Sequence, residues 1–388
     1  MGFGIVLPLL PFYADRFGAS GIEVGLLITV YSVAQFFLAP LWGRLSDRLG
    51  RRPILILGLL GSSASYVVFA YAGSLAVLFL SRAMAGVGGA TVPVAQAYIA
   101  DITPPERRAG NLGLIGAAFG LGFIFGPALG GLLAPVSVEA PGLAAAALCF
   151  GNAVLAFFLL PESLPRKEGE RPDRRRASRR LEDFAVALSD PSTARILLLS
   201  FLFTIAFAAM QPTFPLFGAV RFGLGERTMG YLFAFLGLVS AIMQGGLVRR
   251  LVPLLGEVRL IQISGLPFIA GLLTIAYAPS VPWLLGGLAL LAVGFGGTLP
   301  SIVSLLSREA PADLQGSVLG IGQSVGSLAR IIGPFLAGVV YDLQGIAWPY
   351  LGGAWVAAAA LLVALTLSRP EDEKKEERPR RVSPGLPP

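Results

Sequence analysis

Long apolar runs separated by short polar gaps dominate the pattern of the chain. Most of these runs match the ~20 residues that an α-helix needs to cross a hydrocarbon core. The pattern predicts twelve membrane-spanning helices, at residues 2–12, 22–42, 53–72, 75–100, 110–134, 142–160, 195–217, 228–248, 258–278, 281–306, 316–341 and 347–367. The first run is too short to cross a bilayer alone, so we expect that the beginning of its helix precedes the first residue.

The gaps between the runs are short except at two places. This spacing predicts a first six-helix bundle over residues 1–160, a cytoplasmic linker over 161–194, a second six-helix bundle over 195–368, and a tail over 369–388. The linker and the tail are rich in charge and proline, which is typical of solvated, disordered segments.

One run, residues 113–131, carries glycines on a single helical face. Gly122, Gly126 and Gly130 recur one turn apart, and Pro127 lies among them. In water such a helix is poor, because an interior glycine costs ~1 kcal/mol and a proline ~3 kcal/mol. In a bilayer, small residues let helices approach closely.

A weaker copy of this run follows 207 residues later. The matching residues are Gly320, Gly333, Pro334 and Gly338 for Gly113, Gly126, Pro127 and Gly131. The repeat predicts an all-α membrane protein whose twelve transmembrane helices form two pseudo-symmetric six-helix bundles.

Composition and charge agree with a membrane protein. Hydrophobic residues make up 55% of the chain and charged residues 14%, whereas soluble domains carry about 25% charged residues. With the N-terminus in the cytoplasm, all but five of the 30 basic residues lie on the cytoplasmic side or in the tail. Arg16, Arg221 and Arg227 lie on the other side, and Arg82 and Arg330 lie within spans. This bias predicts a multi-pass protein of the cell membrane with both termini cytoplasmic, and it argues against nucleic-acid binding despite the net charge of +7.

Several kinds of chemistry are excluded by what the sequence lacks. The single cysteine, Cys149, lies in an apolar run, and histidine is absent. A disulfide framework and a thiolate metal site are therefore excluded, and the commonest general base is missing. The sequence has no nucleotide-binding loop and no catalytic triad, so we expect no enzyme activity, no cofactor and no metal.

The polar turn between the second and third runs reads GRLSDRLGRR, residues 43–52. It resembles the loop signature of the major facilitator superfamily and lies at the same place in the chain. The resemblance implies a cytoplasmic latch between the halves, made when the transporter faces outward. Asp47 would lie near the positive N-terminal end of the eleventh helix, and Arg51 or Arg52 would pair with Asp101. The predicted latch residues are Gly43, Asp47, Arg48, Gly50, Arg51, Arg52 and Asp101.

The corresponding turn of the second half, residues 245–256, lacks the aspartate. The latch is therefore expected on one half only. Gly43 is expected to permit close packing, and Gly50 suits a turn position with positive φ.

Other motifs narrow the resemblance to the drug:proton antiporter branch, which includes tetracycline exporters. The fourth run carries an arginine and three glycines, Arg82-Ala-Met-Ala-Gly-Val-Gly-Gly-Ala90, and the chain starts with Gly2-x-Gly4. The glycine run of the fifth helix resembles the signature of the family's exporters. Its residues are Gly113, Gly122, Gly126, Pro127, Gly130 and Gly131.

The sequence departs from that branch in its intramembrane charges. Proton-coupled members carry an acid inside the membrane, but all 23 acids here fall at helix ends, in loops, in the linker or in the tail. Arg82 and Arg330 nevertheless lie within spans, where an arginine costs ~2.5–3.5 kcal/mol.

Two partners for these arginines are open. One is an acid upstream of the first residue, because tetracycline-exporter-like proteins have an aspartate shortly before the Gly-x-Gly. The other is an anionic substrate. Packing contacts are the alternative explanation for Arg330, although a side chain that faces the cavity is favoured, and extension towards the outer membrane surface is the alternative for Arg82.

Polar side chains within apolar runs complete the candidate substrate or coupling residues. An interhelical hydrogen bond is the alternative explanation for each of them. The set comprises Tyr31, Gln35, Arg82, Gln96, Gln211, Gln323 and Arg330.

The preferred function is a secondary active transporter, a monomer that couples the efflux of small lipophilic compounds to protons by alternating access. A facilitator or symporter for an anionic metabolite is the first alternative. A transporter-like receptor or scaffold that does not cycle is the second. The expected partners are a small-molecule substrate, protons and the lipid bilayer.

Overall fold

The computed structural model describes residues 1–104, 107–164, 189–309 and 315–367. Most of the linker, residues 165–188, and the tail from 368 onward lie outside the described residues, so the expectations for these segments stay predictions. The described chain is helical, and its elements are numbered α1 to α12 below.

The first half comprises six helical elements. They are α1 (Gly2–Val6 and Leu10–Asp15), α2 (Gly21–Leu49), α3 (Arg51–Ala70), α4 (Leu75–Gly89 continued by Val92–Ile102), α5 (Arg108–Leu133) and α6 (Ala140–Leu159). The second half comprises α7 (Pro191–Phe222), α8 (Glu226–Ile242 with Met243–Leu247 and Val248–Leu255), α9 (Glu257–Ala276), α10 (Val281–Glu309), α11 (Gln315–Gln344) and α12 (Trp348–Leu365).

Within the described chain, ten helices are long and apolar enough to cross a membrane. The described apolar part of α5, Ala118–Leu133, is shorter. The first element is two short helices, because Pro8 and Pro11 interrupt the hydrogen-bond ladder. The all-α membrane architecture is therefore confirmed, while a full set of twelve spans stays a prediction.

Each half has its own hydrophobic core. The first core joins α1, α2, α3, α4 and α6 around fully buried side chains such as Phe69 and Leu27. The second core joins α7 to α12 around Phe203, Phe268 and Tyr350. Each core consists mainly of side chains from its own half, with Phe12 of α1 packed against the second core and Leu216 of α7 against the first.

The helices run between two ends of the molecule. The basic face is the end that carries the α2–α3 turn at residues 43–52, and the opposite face is the end that carries the α1–α2 turn at residues 16–20. The halves meet mainly through two helix pairs, α2 with α11 and α5 with α8.

Close contacts between the halves lie at the opposite face and at mid-depth. An added Cβ at Gly230 of α8 would lie 2.6 Å from the Gly131 backbone of α5. On α2, a Cβ at Gly21 or Gly25 would meet α11. The expectation of close packing at Gly43 is wrong for this conformation, because no atom lies within 4 Å of a Cβ placed there, and the same holds for Gly120 and Gly320. The glycine contacts between the halves thus lie at the opposite face and at mid-depth of the described chain.

The glycine face of α5 packs against α1, not against lipid. A Cβ on Gly126 would lie 2.8 Å from the Gly4 backbone, and one on Gly130 would lie 2.5 Å from the Ile5 carbonyl oxygen. Gly4 in turn needs to be small, because its Cβ would lie 2.5 Å from the Gly122 carbonyl oxygen. Backbone therefore lies on backbone along three turns of α5.

We predict that Gly126→Leu lowers stability because its side chain has no space against α1. Overpacking of this kind costs about 1–3 kcal/mol. Gly120→Leu is the control on the same helix, since nothing lies within 4 Å of its added Cβ. Thermal unfolding of both purified variants in detergent checks this, and an equal loss of melting temperature would contradict the packing argument.

Candidate functional site

Tyr31 lies at mid-depth of α2, and other candidate residues lie close to it. Its ring stacks on Phe3 of α1, with 4.9 Å between centroids, and Phe3 contacts Phe123 of α5 edge-on. Both Arg82 of α4 and Arg330 of α11 lie within electrostatic range of the Tyr31 hydroxyl. Three of the residues singled out from the sequence therefore converge on one site between the halves.

The glycines that follow Arg82 allow this convergence. A Cβ on Gly86 would meet the backbone of Tyr31, and one on Gly89 would lie 2.7 Å from the Tyr31 hydroxyl oxygen. Gln35, one turn further along α2, donates from Nε2 to the Gly89 carbonyl oxygen at 3.0 Å. The motif of α4 is thus a surface against which α2 packs its tyrosine and glutamine.

Arg82 is buried, with only 2% of its surface exposed. Its guanidinium lies 5.1 Å from the ring centroid of Phe69 and 5.7 Å from that of Tyr66. Extension to the membrane surface, an alternative raised from the sequence, is therefore wrong for this conformation. Its Nη2 atom has no hydrogen-bond partner among the described residues. A buried cationic donor without an acceptor is costly.

Arg330 lies at the middle of α11 and is half-buried. Its Nη2 donates to Ser327 Oγ, one turn earlier, at 3.0 Å. Its guanidinium lies within electrostatic range of Tyr31 of the other half. The Arg330 side chain therefore lies on the side of α11 that is nearer to the first half.

Acidic side chains are absent from this depth in the described spans. Those of the described helices lie at helix ends: Asp15, Glu23, Asp47, Asp101, Glu226, Glu257, Glu309 and Asp342. The two arginines thus carry positive charge that no neighbouring carboxylate balances within the described spans.

The remaining glutamines do not join the Tyr31 site through any described contact. Gln96 and Gln211 are half-buried on α4 and α7, and Gln323 is exposed on α11. Aromatic residues of the second half do reach mid-depth, where Phe207 of α7 stacks on Phe295 of α10. The sequence did not single out this pair, because phenylalanines are common in every span.

The α2–α3 turn at the basic face is organised by Arg51. Its side chain pairs with Asp101 at the end of α4, at 3.2 Å, and with Asp47 at 2.6 Å. Of the two arginines offered as partners of Asp101, it is Arg51 that makes the contact. Gly50 precedes it with φ of 104°, a backbone conformation that favours glycine.

The predicted latch also requires contacts between the two halves at the basic face. Arg48 and Asp47 are exposed, and residues 310–314, which precede α11, lie outside the described residues. A contact of Asp47 with the start of α11 therefore stays a prediction. Arg52 points elsewhere, to the end of α6, where it donates to the Phe157 carbonyl oxygen and covers the Phe157 ring.

Glu162 contacts this turn and was not predicted from the sequence. It follows α6, and its carboxylate accepts from the backbone N–H groups of Arg51 at 2.9 Å and Arg52 at 3.2 Å, which caps α3. Burial by itself raises the pKa of Glu162, but four backbone hydrogen bonds outweigh that effect and the pKa is lowered. The start of the linker therefore holds the turn in place.

The second half has an ion pair that corresponds to Arg51–Asp101, with the positions of the acid and the base exchanged. Glu257 begins α9 directly after Gly256, which has φ of 74°. Arg308 near the end of α10 donates to both carboxylate oxygens of Glu257, at 2.8 and 2.9 Å. The turn between α8 and α9 lacks the aspartate, as the sequence shows. An ion pair nevertheless joins the start of α9 to the end of α10, as another joins the start of α3 to the end of α4.

We predict that Glu162→Gln lowers stability by about 1 kcal/mol, because it removes the charged cap of α3. A carboxylate with a lowered pKa stabilises the fold above its unfolded pKa of about 4.3 and loses that effect as the pH falls through the lowered pKa. The difference in melting temperature from the wild type is therefore expected to be full at neutral pH and to vanish in strong acid. A pH-independent difference for Glu162→Gln would argue against the cap.

Comparison with known proteins agrees with this geometry. The family model of the Major Facilitator Superfamily matches residues 1–334 and, in a second match, residues 254–387. The chain is similar to the tetracycline resistance protein, class C, of Escherichia coli, with 35% identity over 374 residues that cover 95% of this chain and 93% of that protein. It is similar also to multidrug resistance protein 2 of Bacillus subtilis (strain 168), with 30% identity over 385 residues and coverage of 97% and 93%.

A solved structure resembles the fold along nearly the whole chain. The crystal structure of the human organic anion transporter MFSD10 (TETRAN) matches with a TM-score of 0.69 and 28% sequence identity, covering 94% of this chain and 95% of that one. Two halves that meet at α2–α11 and α5–α8, a family match along the chain and relatives of matching length lead to one conclusion. The chain is a multi-pass membrane transporter, not an enzyme, and it belongs to the Major Facilitator Superfamily.

Proposed function

We propose that this protein exports small lipophilic compounds by alternating access, in exchange for protons. The observation that carries the proposal is the Tyr31 site, which lies at mid-depth between two bodies that meet mainly at one end. Transporters built from two repeats bind substrate at such a place and expose it by rocking the halves. The proposed working unit is a monomer, since one chain supplies both halves.

The lining of the site suits a bulky apolar substrate. Phe3, Tyr31 and Phe123 lie on the first half, and Phe207 and Phe295 lie at similar depth on the second. Binding sites for small molecules are largely apolar and aromatic with a few placed polar groups. The tetracycline and multidrug resistance relatives point to the same class of compound.

The orientation follows from the distribution of charge. We place the basic face in the cytoplasm of the cell, with both termini on that side. The close glycine contacts between the halves then lie away from the cytoplasmic end, as in the conformation in which an exporter loads its substrate. Closure of this face by the residues of the α2–α3 turn would accompany release on the other side.

Proton coupling needs a group that changes its protonation within the membrane. The unsatisfied Nη2 of Arg82 marks where a carboxylate would be held while ionised and released when protonated.

An organic-anion carrier is a second candidate function. Arg82 and Arg330 both lie within electrostatic range of Tyr31, and no acid lies at their depth in the described spans. A substrate with a carboxylate or similar group would satisfy the free donor directly. The similarity to an organic anion transporter supports this alternative.

Transport by the purified protein in lipid vesicles separates these functions. For proton-coupled export we expect uptake of a labelled lipophilic compound that rises several-fold when a pH gradient is imposed and stops when a protonophore collapses it. For the second candidate we expect uptake of an organic anion that persists without the gradient. If neither compound class moves faster than in protein-free vesicles, both transport functions fail and a non-cycling receptor or scaffold remains.

Arg330→Ala tests the role of the central charge. If Arg330 binds an anionic substrate, we expect KM for anions to rise about tenfold or more, since a charged hydrogen bond contributes ~1.5–3 kcal/mol, with neutral compounds unaffected. If it tunes proton coupling, the pH dependence of transport shifts instead. Arg249→Ala, which removes an exposed arginine of the basic face, is the control. An Arg330→Ala variant with unchanged KM and unchanged pH dependence would leave only a packing role.

A further inference from the structure

Asp342, at the end of α11, makes a contact that crosses between the halves at the opposite face. Its Oδ1 accepts from the backbone N–H of Gly21 and its Oδ2 from that of Ile22, both at 2.8 Å. These two N–H groups belong to the first turn of α2 and have no carbonyl partner within the helix. A carboxylate of the second half thus caps a helix of the first half.

The first turn of α2 already has a cap of its own. Ser20 Oγ accepts from the Glu23 N–H, and the Glu23 carboxylate accepts from the Ser20 N–H, which forms a complete capping box. Asp342 is therefore not needed to start the helix. It supplies acceptors for the two donors that the local cap leaves free, and its negative charge faces the positive end of the α2 dipole.

The contact exists only while α2 and α11 are packed together. Gly338 of α11 has no room for a Cβ against Gly21, and Gly25 of α2 has none against Pro334. Thr29 donates to the Ile331 carbonyl oxygen at 2.9 Å further along the same interface. Because the carboxylate is short and the helices are in backbone contact, a small separation of the two helices breaks both hydrogen bonds of Asp342 at once.

Other charged groups at this face contribute less to closure. Arg16 pairs with Glu226 of α8 at 2.6 Å, but the arginine side chain is 42% exposed, and exposed pairs contribute little.

We infer that Asp342 is the positioning residue that holds the opposite face closed while the basic face is open. This inference rests on the proposed alternating-access function, in which α2 and α11 separate at the opposite face during each cycle. Loss of the Asp342 carboxylate therefore favours the state open at the opposite face. Since a helix cap shifts an equilibrium by roughly 3- to 30-fold, the fraction of molecules open at that face rises by this factor in Asp342→Asn.

Distances between spin labels on the two halves test the inference without any substrate. Cys149 is the single cysteine, so Cys149→Ala provides a background for labelling. Tyr71→Cys and Tyr277→Cys place labels at exposed positions after α3 and α9 at the opposite face. Leu49→Cys and Leu254→Cys place a second pair at exposed positions of the basic face. Double electron–electron resonance in lipid nanodiscs then gives the distance distribution at each end.

In Asp342→Asn, we expect a longer distance between labels 71 and 277 and a shorter one between labels 49 and 254. Ser20→Ala is the matched control, because it removes the local cap of the same helix turn and leaves the contact between the halves intact. It is expected to give the wild-type distributions.

Two results would overturn the inference. One is an Asp342→Asn distribution identical to the wild type at the opposite face. The other is an equal change in Ser20→Ala, which would assign the effect to the start of α2 alone. Transport by the unlabelled wild type is measured in parallel: if it transports and the distances do not respond to Asp342→Asn, the inference fails and the proposed function stands. If the wild type transports nothing, the proposed function fails whatever the distances show.

Discussion

Contact between bare backbones at glycine is the constraint on which the rest of the structure depends. Inside a bilayer, helices gain no hydrophobic free energy by leaving lipid for one another, so close van der Waals packing has to supply the attraction. Here glycines join α1 to α5, α2 to α11, and α5 to α8. The first contact holds an interrupted helix in its bundle, and the other two let the halves meet without large side chains between them. A rocking motion needs such a smooth joint.

The same packing creates the electrostatic character of the centre. Gly86 and Gly89 bring α4 against Tyr31, which confines Arg82 among aromatic rings with one donor unsatisfied. In a medium of low dielectric constant an unmatched charge is strongly felt. An acceptor that came to lie beside this donor would therefore change the energy of the whole arrangement. A transporter uses such a dependence to link occupancy to conformation.

Much of the fold followed from local patterns, and some of the site did not. The period of the glycines predicted a packed face on α5, but not that Gly4 of α1 would cover it. Burial of Arg82 was one of several alternatives, since the direction of a long side chain depends on neighbours from other helices. Glu162 and Asp342 carry no sequence signal at all, because each caps a helix that is distant in the chain. A carboxylate just beyond a helix end is ordinary in sequence, and only the tertiary structure shows whose N–H groups it meets.

The ion pair at the basic face has its acid and its base exchanged between the two halves, and this exchange affects how each bundle assembles. Arg51 meets Asp101 in the first half, whereas Glu257 meets Arg308 in the second. The two halves share an ion pair between corresponding helix ends, but they do not share the residue type at either end. A comparison of the halves position by position would score these sites as mismatches. During assembly, however, the mismatch is useful: the start of α3 against the end of α10 would bring two arginines together, and the start of α9 against the end of α4 would bring two carboxylates together. Like charges repel in both wrong pairings, so each bundle closes on its own helices although the two bundles share one design.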